Sequence, residues 1–208
     1  MKILSQLTAS LKKKTIIGNP EIMVSEIIID SRKVTTGSMF VALKGTQIDG
    51  HTFIQKAIDM GAMSILCEDL PETRPDNITF LQVSNASETL GYLASEFYDN
   101  PSKKLKLVGI TGTNGKTTTV MLLFRLFRNL GYRCGLISTV QNQIDEYVIP
   151  STHTTPDAVS LNQLLVKMTQ AGCTHAFMEV SSHAVVQHRI TGVTFTGGNF
   201  LEYYPRSS

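Results

Sequence analysis

The stretch Leu107-Val-Gly-Ile-Thr-Gly112-Thr-Asn-Gly115-Lys116-Thr117-Thr118-Thr119 leaves this chain little freedom in how it folds. Leu107, Val108 and Ile110 form the short apolar run of a strand inside a parallel sheet. Gly112 and Gly115 permit backbone angles and close approach that side chains forbid, so main-chain N–H groups can wrap a phosphate. The helix expected from about Thr117 aims its positive dipole end at the same point. Lys116 adds a charge for the β- and γ-phosphates, and the Thr117 hydroxyl suits Mg²⁺. The common phosphate-loop pattern G-x-x-x-x-G-K-[ST] would need its first glycine at Ile110, so this loop is a variant.

The remaining composition excludes more than it assigns. Nineteen basic and 17 acidic side chains leave a net charge of +2, which makes no case for nucleic acid or an acidic membrane. With 42% hydrophobic residues, 208 residues suffice for one large core or two small ones. Cys67, Cys134 and Cys173 are far apart, lack metal-ligand spacing and sit beside apolar segments, as buried free thiols do. Polar residues break up any apolar N-terminal core, and no run reaches transmembrane length. A cytoplasmic, monomeric protein without membrane insertion is expected.

In chain order, Leu4, Leu7 and Leu11 suggest a first helix, and 26–31 and 38–43 read as strands. A polar loop from Lys44 to Gly50 precedes a helix with Phe53, Ile54, Ala57 and Ile58. Ser64–Cys67 and Thr79–Val83 are further strands, and Asn85 with Glu88 starts a helix in the manner of a capping box. Asp30 and Asp49 read as turn or cap residues. Asp99 to Lys104, polar and holding Pro101, reads as a linker. After it, the phosphate-loop helix runs to Gly131, and 134–139 and 174–180 are strands. Thr155 is placed to cap a helix with Pro156 in its first turn. Alternating strands and helices predict an α/β fold with a parallel, doubly wound sheet and its ligand at the strand C-termini.

The loop Thr-Gly-Thr-Asn-Gly-Lys-Thr-Thr resembles the nucleotide loop of the Mur ligase superfamily, ATP-dependent enzymes that join an amino acid to a carboxylate through an acyl phosphate. Two further segments narrow the resemblance. Thr154-Thr-Pro-Asp157 and Glu179-Val-Ser-Ser-His-Ala-Val-Val-Gln-His-Arg189 resemble the UDP-N-acetylmuramoyl-tripeptide synthetases, which add the third residue of the peptidoglycan stem peptide. Asp30-Ser-Arg-Lys-Val34, Gly37–Leu43 and Asp49-Gly-His51 extend it through the first hundred residues.

The resemblance implies a UDP-sugar-binding domain at 1–100 and part of a central ATP-binding domain at 101–208. Ile29, Ser31, Thr46, Gln47 and Ile48 match positions that cradle the uridine end. Gly112, Thr113, Asn114, Gly115, Lys116, Thr117 and Thr118 match the ATP loop. Thr154, Thr155, Ser181, Gln187 and Arg189 match positions that hold the UDP-muramoyl-dipeptide, and Glu179 with Thr117 matches the Mg²⁺ site. Lys116, Thr117 and Glu179 are thereby the implied catalytic residues, with a diamino acid, diaminopimelate or lysine, as the second substrate. Ser181 is not read as a nucleophile, and His183 and His188 read as hydrogen-bonding to their surroundings.

Beyond Phe200 the sequence departs from the family pattern, so the chain reads as an N-terminal fragment lacking the amino-acid-binding domain and unable to catalyse ligation by itself. A cyanophycin-synthetase-like ligase and a non-catalytic nucleotide-binding module are the alternatives.

Overall fold

The computed structural model describes residues 1–45, 48–151 and 154–201. The chain divides into two compact units, Met1–Phe97 and Tyr98–Ser208.

In the first unit, β1 (Lys2–Ile3) pairs antiparallel with β3 (Met23–Val24). A five-stranded sheet takes the order β2 (Thr15–Ile17), β7 (Thr79–Gln82), β6 (Ser64–Cys67), β5 (Met39–Val41), β4 (Ile27–Ile28). Its strands are parallel except for the β2–β7 pair. Phe40, Ile65, Cys67 and Phe80 pack on one face with Ile54 and Ala57 of α2 (Ile54–Asp59). The alternate residues Met39, Val41, Leu66 and Leu81 are buried as well. These strands therefore read as continuous apolar runs, as strands covered on both faces must.

Two helices complete this unit. Helix α1 (Leu4–Leu7) is shorter than the leucine spacing predicts and stops before Leu11, where the Thr8 hydroxyl bonds back to the Leu4 carbonyl. Helix α3 (Ala86–Phe97) begins as the capping pattern predicts, with the Glu88 N–H on Asn85 Oδ1 at 2.9 Å. The strand expected across 26–31 is confined to β4, because Asp30 turns the chain by accepting the Arg32 N–H and starting the 3-10 turn Ser31–Lys33.

In the second unit, six strands lie in the order β11 (Tyr147–Pro150), β10 (Gln141–Ile144), β9 (Cys134–Ile137), β12 (His175–Glu179), β8 (Lys106–Gly112), β13 (Gly197–Leu201). The last four are mutually parallel. The β10–β11 hairpin adds an antiparallel edge that the sequence reading did not include. Helix α4 (Lys116–Asn129) sets Val120 and Phe124 against Ile110, Leu136 and Phe177 on one face. Helix α5 (Ala158–Gln170) sets Leu161, Leu165 and Met168 against Leu107, Ile137 and Met178 on the other. The sheet is thus doubly wound, the α/β architecture expected.

Two local expectations need correction. The segment read as a linker is folded: Pro101–Lys104 forms a 3-10 turn with Pro101 and Ser102 buried, and Ser102 Oγ accepts the Thr194 N–H at 3.0 Å. Ser102 is satisfied inside the second unit, while Asp99, Lys103 and Lys104 face solvent. Thr155 is not the cap of α5. Asp157 is, accepting the N–H groups of Val159 and Ser160 at 2.9 Å each. A carboxylate directly before the helix outcompetes a hydroxyl two residues earlier, which is then free to bond elsewhere.

Candidate functional site

A cleft of about 670 Å³ opens at the C-terminal ends of β8, β9 and β12. It is lined by Thr111 to Thr117, Thr139, Thr154, Glu179, Ser181, Ser182, His183 and Phe200. Strand β8 delivers the loop and α4 leaves it, so the first N–H groups of α4, which lack intrahelical carbonyl partners, begin at this cleft.

The loop's shape depends on two glycines. Gly112 has φ +137°, and a Cβ there would lie 2.0 Å from the Leu201 carbonyl oxygen of β13. A side chain at 112 would therefore break the pairing of Leu201 with Gly112. Gly115, at φ +83°, precedes α4 in the left-handed region. Lys116 curls over the loop, its Nζ donating to the carbonyls of Gly112 at 2.7 Å and Thr113 at 3.2 Å. The ammonium is thereby held at the loop rather than extended into solvent.

Across the cleft, Glu179 ends β12 in register with Ile110 of β8. It is 1% exposed, and a buried carboxylate must be satisfied. Glu179 Oε1 accepts the Thr139 N–H at 2.9 Å, and Oε2 accepts the Thr139 hydroxyl at 3.1 Å. Thr154 Oγ1 stands 3.1 Å from the same hydroxyl. Thr155 is buried behind them, donating to the Glu179 carbonyl at 3.0 Å and accepting the Ser181 N–H at 3.3 Å. Ser181 Oγ caps the short α6 (Ser182–Val186) through the Ala184 N–H. Arg189 reaches this weave with one guanidinium nitrogen, 2.8 Å from the Thr155 carbonyl oxygen.

Gly112 to Thr117, Thr154, Glu179 and Ser181 are thus gathered at one cleft. Thr118 is exposed one position further along α4, Thr155 lies beneath the surface, and exposed Gln187 closes α6. His188 pairs with Thr191, Nδ1 to Oγ1 at 3.2 Å, while His183 lines the cleft. Thr139 escaped the sequence reading, although a hydroxyl at the C-terminal end of a parallel strand is where such sheets place ligand contacts. Ser182, His183 and Phe200 join it as lining residues that were not assigned to a ligand.

The chemistry of the donors fits magnesium. Among the described residues no three His, Cys, Asp or Glu side chains gather as a metal cage. Mg²⁺ needs no such cage, since it keeps several waters and takes one or two carboxylates together with substrate phosphates. Glu179 retains unused lone pairs after its two bonds to Thr139, and Thr117 supplies a hydroxyl at the loop. The cysteines take no part: burial pushes the thiols of Cys67 and Cys134 up to about 11, and that of Cys173 up as well.

The remaining predicted residues belong to the first unit. Ser31 is buried at the start of its 3-10 turn, Ile29 is half-buried, and Ile48 is exposed. Thr46 and Gln47 lie outside the described residues. The Arg32 guanidinium, then its backbone N–H, hold the Asp30 carboxyl down at about 2. No described helix is long and apolar enough to cross a membrane.

Comparison with known proteins adds independent findings. Residues 23–98 match the Mur ligase family catalytic domain, and residues 110–202 match the Mur ligase middle domain. A UDP-N-acetylmuramoyl-L-alanyl-D-glutamate--2,6-diaminopimelate ligase of Cytophaga hutchinsonii is 58% identical over 187 residues, covering 89% of this chain and 38% of the relative. The ligase of the same name from Phocaeicola vulgatus is 52% identical over 197 residues, covering 95% and 41%. A solved structure of a ligase of that name superimposes with a TM-score of 0.71 at 29% identity, covering 85% of this chain and 36% of that one. MurF ligase from Thermotoga maritima in complex with ADP gives a TM-score of 0.54 at 27% identity, covering 78% and 33%. The chain therefore spans about two fifths of the length of the relatives it matches.

Proposed function

Because the chain belongs to the Mur ligase family, we propose that it is the nucleotide-binding part of a ligase that attaches 2,6-diaminopimelate to UDP-N-acetylmuramoyl-L-alanyl-D-glutamate. The observation that carries this reading is the placement of Lys116 and Glu179 in one cleft, joined to Thr139 and Thr154. The diamino acid is taken from the names of the relatives, and a cytoplasmic setting follows from the same assignment.

In the first step the glutamyl carboxylate attacks the γ-phosphorus of ATP. The bond to the bridging oxygen breaks, giving an acyl phosphate and ADP. Lys116 and the N–H groups at the start of α4 neutralise charge on the transferring group, which changes little covalently and is stabilised chiefly by such fixed charges. Thr117 and Glu179 would hold Mg²⁺, which when bound would neutralise further charge on the phosphates. The Thr139 hydroxyl and N–H keep Glu179 aimed at the cleft. In the second step the amine of the diamino acid attacks the acyl carbon, phosphate leaves, and the amine nitrogen gives up a proton.

Thr154, Ser181, Gln187 and Arg189 are assigned to the muramoyl-dipeptide, and Ile29, Ser31, Thr46, Gln47 and Ile48 to its uridine end. Arg189 presents a planar fork suited to carboxylate or phosphate, with donors left over after its bond to Thr155. On this reading residues 1–100 serve the UDP-sugar and the following residues serve ATP. Titration of the chain with Mg–ATP and, separately, with the UDP-muramoyl-dipeptide tests both assignments. Absence of binding by either ligand contradicts the corresponding one.

A further inference from the structure

The C-terminal end of α4 and the tip of the β10–β11 hairpin are joined by charge. Arg128 Nε lies 3.3 Å from Asp145 Oδ1, and its Nη2 donates to Glu146 Oε1 at 3.3 Å. The guanidinium also lies over the Phe124 ring, 5.6 Å from its centroid, and Phe124 is buried against the sheet. On the other side of the tip, Arg133 Nε stands 4.0 Å from Asp145 Oδ2, while its Nη1 donates to the Ala171 carbonyl at 3.1 Å. Two cations from separate stretches of the chain thus face one half-buried carboxylate.

The hairpin needs such a tie. Its turn carries Asp145 at φ +51° followed by Glu146, without the Asn-Gly or Asp-Gly pair that shapes a two-residue turn unaided. Strand β10 reads Gln-Asn-Gln-Ile, so Ile144 is its one apolar anchor. The other inward residue, Asn142, is buried with its Oδ1 unpartnered among the described residues. Strands with so little apolar pattern specify their register weakly. Register is set instead at both ends of β10. At the tip, the Asp145 N–H reaches the Cys134 carbonyl at 2.8 Å. At the root, Ser138 Oγ donates to the Gln141 carbonyl at 2.7 Å and accepts the Gln141 N–H at 3.2 Å. Thr139, which holds Glu179, follows Ser138 directly.

Two elements therefore run from this clamp to the cleft. Helix α4 extends from Arg128 back to Lys116, about 18 Å at the usual helical rise. Strand β10 extends from Asp145 back to the turn that carries Thr139. We propose that Arg128 and Asp145 are positioning residues for the nucleotide site. Their pairing, at the end of α4 away from the phosphate loop, fixes the register of β10 against α4 and so holds Thr139 where it aims Glu179 at the loop. The effect on ATP rests on the nucleotide reading above. The pinned register is measurable without any ligand.

Hydrogen exchange and calorimetry on the 208-residue chain test it. In Arg128→Ala the amides of β10 and of Thr139 should exchange about fivefold or more faster than in the parent, the scale of the partly exposed ion pairs removed. Amides of β8 and β12 should stay within about twofold, as sites sharing no partner with the clamp do. Asp145→Asn suits the left-handed backbone and leaves Arg128 over Phe124, so it should speed the same amides. Arg128→Lys keeps the charge without the fork that spans both acids, and should recover part of the loss. ATP affinity with magnesium should fall about threefold or more in Arg128→Ala, while affinity without magnesium holds within about twofold, because the phosphate loop is untouched. Parent-like exchange in β10, faster exchange in every strand alike, lysine no better than alanine, or equal loss of ATP affinity with and without magnesium would each overturn the proposal. If the parent itself binds no Mg–ATP, the functional reading falls and the exchange pattern alone decides the inference.

Discussion

Glu179 grips Thr139 twice, through its backbone N–H at 2.9 Å and its hydroxyl at 3.1 Å, so the ends of β12 and β9 are locked together beside the phosphate loop. A buried carboxylate in that position is both a structural tie and, among the described residues, the one acidic side chain lining the cleft.

Glu179→Gln separates these roles. The amide keeps the shape and one acceptor but removes the negative charge. Affinity for ATP with magnesium should fall about tenfold or more, the scale of one lost charge-assisted interaction. Affinity for ATP without magnesium should hold or rise, because the carboxylate no longer repels the phosphates. Equal losses in both titrations would show that Glu179 serves the fold and not the metal.

Gly112→Ala tests the tight approach of β13 to the loop. The positive φ alone should cost about 1–3 kcal/mol, and the Cβ would meet the Leu201 carbonyl oxygen at 2.0 Å. Thermal unfolding of the variant should move to lower temperature and Mg–ATP affinity should drop. Unchanged unfolding would mean that Leu201 does not pair at Gly112 in solution.

Arg189→Ala should weaken the UDP-muramoyl-dipeptide roughly ten- to a hundredfold, as loss of bonds to a charged group does, while Mg–ATP binding stays near the parent value. Arg189→Lys should restore only part, since lysine keeps the charge without the fork. Joint loss of both ligands would trace instead to the missing tie to the Thr155 carbonyl.

Asp30 offers a pH test in the first unit. Its carboxyl is held down at about 2 from the usual 3.8, first by the Arg32 side chain and then by the Arg32 N–H. Its contribution to stability is therefore complete above pH 3.8 and is lost as pH falls through about 2. In Arg32→Ala the carboxylate titration followed by NMR should move up toward 3.8 yet stop short, because the N–H at position 32 still donates. No movement would show that the guanidinium pair seen here does not persist.

Legibility in the sequence followed physical rules where one rule acted alone. Short apolar runs marked β8 and β6, and Asn85 with Glu88 marked the start of α3. Where two devices competed, the reading failed. In Thr-Thr-Pro-Asp both Thr155 and Asp157 could cap α5, and burial of Thr155 against Glu179 decided the matter through a strand distant in sequence. The β10–β11 hairpin was hidden because its turn uses Asp145 at φ +51° instead of glycine, and because β10 buries Asn142 among its apolar positions. Thr139 drew no notice since its partner Glu179 lies 40 residues away.

The central claim, that the loop from Gly112 to Thr118 holds the phosphates of ATP, is tested most directly by calorimetric titration of parent and Lys116→Ala with Mg–ATP. The account predicts saturable binding by the parent and a loss of roughly ten- to a hundredfold or more in the variant, the effect of removing charge-assisted bonds of about 1.5–3 kcal/mol. Equal affinities in the two proteins would contradict it.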